Sequence, residues 1–338
     1  MIIDMHGHVT APPEFYAYKS GLLASRGYHG KGSPGISDER MHQAARRHLD
    51  LLAGVGTDVQ FLSPRPFQLM HSEQPQSIVR WWVEANNDLI ARQCRAHPDV
   101  FRGVAGLPQT PVGDLRPCVE ELERCVAEHG FIGCLLNPDP TEGTGLQPTL
   151  DDEYWYPLYE KMVELDVPAL VHSTSCKNPR ESYSAHFISE ESVAVLNLCK
   201  PECRVFRDFP GLQLIISHGG GSVPYQIGRW RAHRIREQEA DPSLEPFDDS
   251  LRRLHFDTVL YNQESLDFLF RIVGTDRCMF GTENPGSGSS KDPVTGAWMD
   301  DLKPVIEGIS WLSAEDRDRV FERNARSVFP RFRVPTAV

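Results

Sequence analysis

The feature that most constrains this chain is an alternation. Short β-branched runs recur between longer stretches whose apolar residues fall at three- and four-residue spacings. Strand-like runs occupy residues 2–5, 59–63, 103–107, 132–136, 169–172, 214–217, 255–259 and 278–281. Helical patterns occupy 78–96, 115–128, 154–165, 190–200, 224–239, 264–273 and 314–328. In the first of these, Trp82, Ala85, Asn86, Leu89, Ile90 and Gln93 share one face. Strands separated by helices pair in parallel through right-handed crossovers. About eight such units in one chain predict a closed α/β barrel of the (β/α)₈ TIM type rather than an open doubly wound sheet. A length of 338 residues suits one such barrel, so a single domain over 1–338 is expected.

Two stretches break the pattern. Residues 9–36 carry Pro, Gly and Tyr with little periodicity and read as a long loop after the first strand. Residues 282–298, rich in Gly, Ser, Pro and Asn, read as a long loop after the last. Both leave the C-terminal ends of strands, the face on which barrel enzymes build their sites.

Charge narrows the partners. Asp and Glu number 47 against 35 Lys and Arg, a net −12, which argues against a nucleic-acid groove or an anionic membrane surface. It leaves a small anion open, because a few local Arg outweigh a diffuse field at contact distance. No apolar run approaches the roughly 20 residues of a membrane span, and residues 1–6 lack a signal-peptide pattern. The eight Cys are scattered without a Cys-x-x-Cys pair, so a cytoplasmic protein with reduced thiols is expected.

Histidines and one acid gather at strand ends. His6-Gly7-His8 closes the first run, His172 the fifth, His218 follows the sixth, and Glu283 follows the last. Residues two apart on a strand share a side, so His6 and His8 are expected to enter the barrel mouth together. Histidines that merely pack would scatter along strands and helices without this bias. Three imidazoles and a carboxylate suit Zn²⁺, ahead of Mn²⁺ or Fe²⁺, and leave a position for a water of lowered pKa. The expected ligands are His6, His8, His172 and Glu283, with His218 beside them to orient the water or move a proton. Asp4, two before His6, is either an acceptor for an imidazole N–H or an acid at the core rim.

These residues carry a resemblance. The His6-Gly7-His8 opening, His172, His218 and the acid after the last strand resemble the amidohydrolase superfamily along essentially the whole chain. The branch is that of aminocarboxymuconate-semialdehyde decarboxylase. Two departures stand out: Glu283 replaces the usual Asp, and the fourth strand ends Leu135-Leu136-Asn137, with no Lys to bridge two metals. His172-Ser173-Thr174-Ser175-Cys176, Ala185-His186-Phe187, His218-Gly219-Gly220-Gly221 and Thr282-Glu283-Asn284-Pro285 are similar to the 4-oxalomesaconate hydratase family. The resemblance implies a Zn-dependent hydro-lyase of protocatechuate 4,5-cleavage and gallate catabolism, and a homodimer or larger homo-oligomer. Its product would be 4-carboxy-4-hydroxy-2-oxoadipate.

That chemistry assigns roles. The C3=C4 bond of the substrate is conjugated to a ketone, so C4 is electrophilic and C3 takes the final proton. Glu283 is the expected base, and His218 the expected proton donor ahead of Cys176. Three substrate carboxylates call for cations at the mouth. Arg65 after the second strand, Lys177 and Asn178 after the fifth, and Arg229 and Arg231 after His218 are the candidates. The alternatives are a metal-dependent decarboxylase of an aminomuconate or hydroxybenzoate, an amide or lactone hydrolase, and a binding protein that keeps an idle site.

Overall fold

The computed structural model describes residues 1–333. Its eight strands are β1 (Ile3–His8), β2 (Val59–Ser63), β3 (Phe101–Ala105), β4 (Gly133–Leu136), β5 (Ala169–Val171), β6 (Leu214–Ile216), β7 (His255–Asp257) and β8 (Cys278–Met279). They pair in parallel in chain order. The ring closes where Met5 N–H donates to Phe280 O at 2.9 Å, Glu283 N–H donates to His6 O at 2.7 Å, and Gly7 bridges Asn284. This is the expected TIM-type barrel.

The helices are α1 (Pro13–Ser25), α2 (Asp38–Val55), α3 (Gln76–Ala96), α4 (Arg116–His129), α5 (Tyr156–Glu164), α6 (Tyr183–Leu198) and α7 (Val205–Asp208). There follow α8 (Ile227–Ala240), α9 (Phe247–Leu251), α10 (Gln263–Val273), α11 (Leu302–Glu307), α12 (Ala314–Asp318) and α13 (Asn324–Val328). None is long and apolar enough to cross a membrane.

Side-chain parity separates two layers. Leu135, Leu170, Ile215 and Met279 join Ile3, Met5, Phe61 and Val104 in one buried cluster drawn from every strand but β7, which is the barrel interior. Their chain neighbours, such as Leu136, Val171, Ile216 and Phe280, belong to a second cluster with Trp82, Leu122 and Trp155 of the surrounding helices. Val328, Phe329 and Phe332 join the interior cluster, with the Phe329 ring centroid 4.8 Å from that of Phe61. Aromatic side chains thus fill one end of the barrel, and the histidines occupy the other.

Four local expectations are corrected. Residues 9–36 are not all loop, because α1 lies within them. Only Phe15 and Leu22 of α1 are buried, too few to show a period, and Phe15 packs on Trp82 with ring centroids 4.5 Å apart. No helix was expected over 38–55, yet α2 forms there. Ser37 Oγ accepts from Arg40 N–H, Asp38 and Glu39 sit in the first turn, and Gly56 ends it in the left-handed region. Helix α6 begins at Tyr183 rather than 190, capped by Ser182, whose Oγ accepts from Ala185 N–H. The pattern over 314–328 is interrupted by a π-helical turn at Arg319–Arg323. As expected, 282–298 stays irregular apart from two isolated bridges, Asn284 with Gly7 and Lys291 with Trp298.

The pairing of β1 with β2 is irregular, and this decides where the histidines point. Asp4 pairs with Gln60 but Gly7 with Leu62, so β1 advances three residues while β2 advances two. One extra residue reverses side-chain parity. Ile3 and Met5 therefore face the interior below the bulge, and His6 and His8 turn inward above it. Gly7 is then forced. A Cβ there would lie 2.2 Å from Gln60 Cδ, and the Gln60 amide is anchored at 2.8 Å to Asp4 Oδ2 and at 3.0 Å to Asn284 O. Gly7→Ala is expected to destabilise the fold by about 1–3 kcal/mol through overpacking. The check is a lower urea midpoint at unchanged slope; an unmoved midpoint would mean that Gln60 swings aside freely.

Candidate metal centre

His6, His8, His172 and Glu283 each bring one ligand atom to within 4.8 Å of the others, and all four are buried. Hydrogen bonds settle the tautomers. His172 Nδ1 lies 2.6 Å from Ser173 O, which can only accept, so that nitrogen carries the proton. His6 Nδ1 donates to Asp257 Oδ2 at 2.7 Å. Ser63 Oγ donates to Gly7 O at 3.1 Å, so at 2.9 Å it accepts from His8 Nδ1. Every ring is thus left with its lone pair on Nε2. The Nε2 atoms of His6 and His172 are buried with no hydrogen-bond partner. Orphaned lone pairs converging beside a carboxylate are what a divalent cation requires, so the donor set fits one.

Electrostatics agree. Burial pushes His172 well below its ordinary pKa, helped by the charge of His218, and burial then His6 do the same to His8. Both rings stay neutral, as ligands must. Glu283 goes the other way. Burial alone would raise its pKa, but the hydrogen bond and charge of His218 outweigh that and hold the carboxyl far below the usual range. Glu283 Oε1 sits 3.4 Å from His218 Nε2 and 3.9 Å from His172 Nε2. Its Oε2 accepts from Tyr261 Oη at 2.6 Å and Ser287 N–H at 3.2 Å. Burial would lower His218, but the charge and hydrogen bond of Glu191, 2.9 Å from Nδ1, raise it well above its ordinary pKa.

The backbone is strained where these groups meet. His218 has φ 51°, Tyr261 57° and Glu283 62°, a region that side-chain-bearing residues occupy at about 1–3 kcal/mol each. Gly219, at φ 62°, continues the turn and donates its N–H to Asp257 Oδ1 at 3.0 Å. A Cβ there would lie 2.9 Å from Leu260 Cδ1. The glycine turn after β6 therefore helps aim the acid that orients His6.

Asp4 is not the acceptor for an imidazole N–H. The bulge leaves it opposite the histidines, bonded to Thr282 N and Oγ1 and to Gln60 Nε2, with its pKa raised by burial to about 6. Asp257 takes that place. An acid inside the buried run His255-Phe256-Asp257 was the available signal. Glu191 and Tyr261 were also missed, because their partners lie 27 and 22 residues away.

Arg65 follows β2, and its positive charge bears on His8 and His48. Its Nε is buried without a partner. Lys177 is already engaged, with Nζ 2.7 Å from Glu73 Oε1 and 3.1 Å from Glu142 Oε2. Asn178 is half-buried and donates to Glu181 Oε1 at 2.9 Å. Cys176 lies against Glu181 and His186, and burial raises its thiol pKa. Arg229 and Arg231 are on the exposed surface of α8, where Arg231 pairs with Asp248 at 2.6 Å. The structure does not gather these two with the histidines. A guanidinium on an outer helix face finds a nearby acid before it finds the barrel mouth.

Asp257→Asn keeps the shape of the acceptor but removes the charge behind His6. Metal affinity is expected to fall about 10–100-fold, read by competition with a chromophoric chelator. Unchanged affinity would deny Asp257 its orienting role.

Known proteins bear on this geometry. The amidohydrolase family model matches residues 3–331. The 2-keto-4-carboxy-3-hexenedioate hydratase of Sphingobium sp. (strain NBRC 103272 / SYK-6) is 39% identical over 342 residues, covering 98% of this chain and 96% of the relative. The crystal structure of 4-oxalomesaconate hydratase from Rhodopseudomonas palustris superposes with a TM-score of 0.86 at 34% identity, covering 98% and 96% of the two chains. A dihydroxybenzoic acid decarboxylase from Polaromonas sp. JS666, solved with bound manganese and an inhibitor, shares the fold at TM-score 0.70 and 23% identity, covering 97% and 96%. With its barrel, its ligand-type side chains at strand ends and these matches along nearly all its length, the chain belongs to the amidohydrolase family and is a homologue of 4-oxalomesaconate hydratase.

Proposed function

We propose that this chain adds water across the C3=C4 bond of 4-oxalomesaconate, giving 4-carboxy-4-hydroxy-2-oxoadipate, as a metal-dependent hydro-lyase of protocatechuate 4,5-cleavage and gallate catabolism. The carrying observation is the 39% identity to a hydratase of this substrate across 98% of the chain. The free thiols of all eight cysteines accord with action in the reducing cytoplasm, by one domain spanning 1–338.

His6, His8, His172 and Glu283 would hold the ion. Three imidazole nitrogens and one carboxylate favour Zn²⁺, with Mn²⁺, present in the Polaromonas decarboxylase, as the other candidate. When bound, such an ion polarises a water and lowers its pKa towards neutrality. The residues supply the rest. The ketone conjugated to C3=C4 makes C4 electrophilic, and oxygen adds there. Glu283, kept ionised by its surroundings, takes the water proton. Electron density moves through C3 to the C2 oxygen, and C3 then takes a proton from His218 Nε2. His218 suits this step better than Cys176, because it already lies 3.4 Å from the base and is held protonated by Glu191. Atoms balance: hydroxyl at C4, hydrogen at C3.

Arg65, with an unpartnered Nε and a charge that bears on His8, would clamp a substrate carboxylate. Lys177 is the second cation for that task, once drawn from Glu73 and Glu142. Arg65→Met is expected to raise KM about 10–100-fold, the equivalent of one charge-assisted hydrogen bond of about 1.5–3 kcal/mol. A KM within error of the parent would remove Arg65 from substrate binding.

The deciding experiment mixes Zn²⁺-loaded protein with 4-oxalomesaconate and follows conjugated absorbance and product mass. Gain of one water is the expected result. Release of CO₂ instead would favour a decarboxylase, and no reaction by fully loaded protein would overturn the proposal.

A further inference from the structure

A second set of metal-competent side chains faces a cavity of its own, outside the histidine cluster. Asp139, in the loop after β4, and His186 and Glu190, one turn apart on α6, each bring a ligand atom to within 4.8 Å of the others. With Glu181 they line a cavity of about 290 Å³ to which no lysine or arginine contributes.

His186 is the informative residue. Its side chain is 1% exposed. Nδ1 lies 3.3 Å from Glu181 Oε2, an atom that only accepts, so the proton of a neutral ring sits on Nδ1 and the lone pair on Nε2. That Nε2 has no hydrogen-bond partner and faces Asp139 Oδ2 at 3.8 Å. Asp139 is itself fixed: Oδ1 accepts from Thr141 N–H at 2.9 Å, and Oδ2 from Gly143 N–H at 2.7 Å. A buried lone pair opposed to a carboxylate with nothing between is unfavourable. A carboxylate behind Nδ1 and a bare Nε2 in front is also the usual setting of a metal-binding histidine.

The geometry points to a second divalent-cation site formed by Asp139, His186 and Glu190, with Glu181 orienting the imidazole. One nitrogen and two carboxylates, with cavity space for water ligands, suit Mn²⁺ or Zn²⁺. The ion would tie α6 to the β4 loop. The next residue of α6 is Glu191, which bonds His218, so this strut would also steady the proton-bearing side of the first site.

The test is a metal count and needs no turnover. Metal-stripped protein is titrated with Mn²⁺ while the free ion is read by electron paramagnetic resonance. The parent is expected to bind two equivalents, and His186→Asn one. Glu190→Gln, at a partly exposed position, is expected to weaken the second equivalent and spare the first; it decides the matter if His186→Asn folds poorly. One equivalent in the parent, unchanged in His186→Asn, would overturn the site. Two equivalents left unchanged in Glu190→Gln would overturn it as well.

Discussion

Glu283→Gln is expected to lower the rate of hydration about 10²–10⁴-fold, the usual contribution of a positioned general base. The substitution keeps the volume and an oxygen able to accept from Tyr261 Oη and Ser287 N–H. It removes the charge to which we assign the water proton and which faces His218 Nε2 at 3.4 Å. An amide remains a weak ligand, and His6, His8 and His172 still present their lone pairs, so metal is partly retained. Loss of conjugated absorbance gives the rate, and elemental analysis of the same sample gives the metal. A variant that hydrates normally with metal bound would show that the base lies elsewhere. A variant that has lost all metal would make Glu283 mainly a ligand.

Stripping the metal is expected to have the second largest effect. Hydration should stop and return on adding Zn²⁺, whereas His172→Asn, which lacks one of the converging lone pairs, should not recover. Stability moves with it. An ion that binds only the folded chain stabilises it by about 2.7 kcal/mol when free metal is a hundred times its dissociation constant. The stripped protein should therefore unfold at lower temperature, and part of that loss should persist in His172→Asn with metal present. Full turnover after exhaustive chelation, confirmed by elemental analysis, would contradict a metal-dependent reaction.

Both expectations rest on side chains that were legible early. The strand-end positions of His6, His8, His172, His218 and Glu283 follow from where the β-branched runs stop, and the structure does bring those five together. The first long loop was legible only in part: α1 buries just Phe15 and Leu22 and is held by packing on α3, which no local period reveals. The cations were least legible. Arg65 and Arg231 look alike in sequence, yet one has a buried unpartnered Nε and the other a surface partner, Asp248.

By itself, then, the sequence determined the parallel barrel and the ligand types at its mouth, because hydrophobic period and strand ends are local properties. Tertiary structure alone decided the rest. The bulge that turns His6 and His8 inward exists only in the pairing of β1 with β2. Asp257, which fixes the His6 tautomer, lies 251 residues from its partner. Hydrogen bonds act over about 3 Å whatever the separation along the chain, so the tautomers, the raised His218 and the opposed His186 and Asp139 appear only once the barrel is closed.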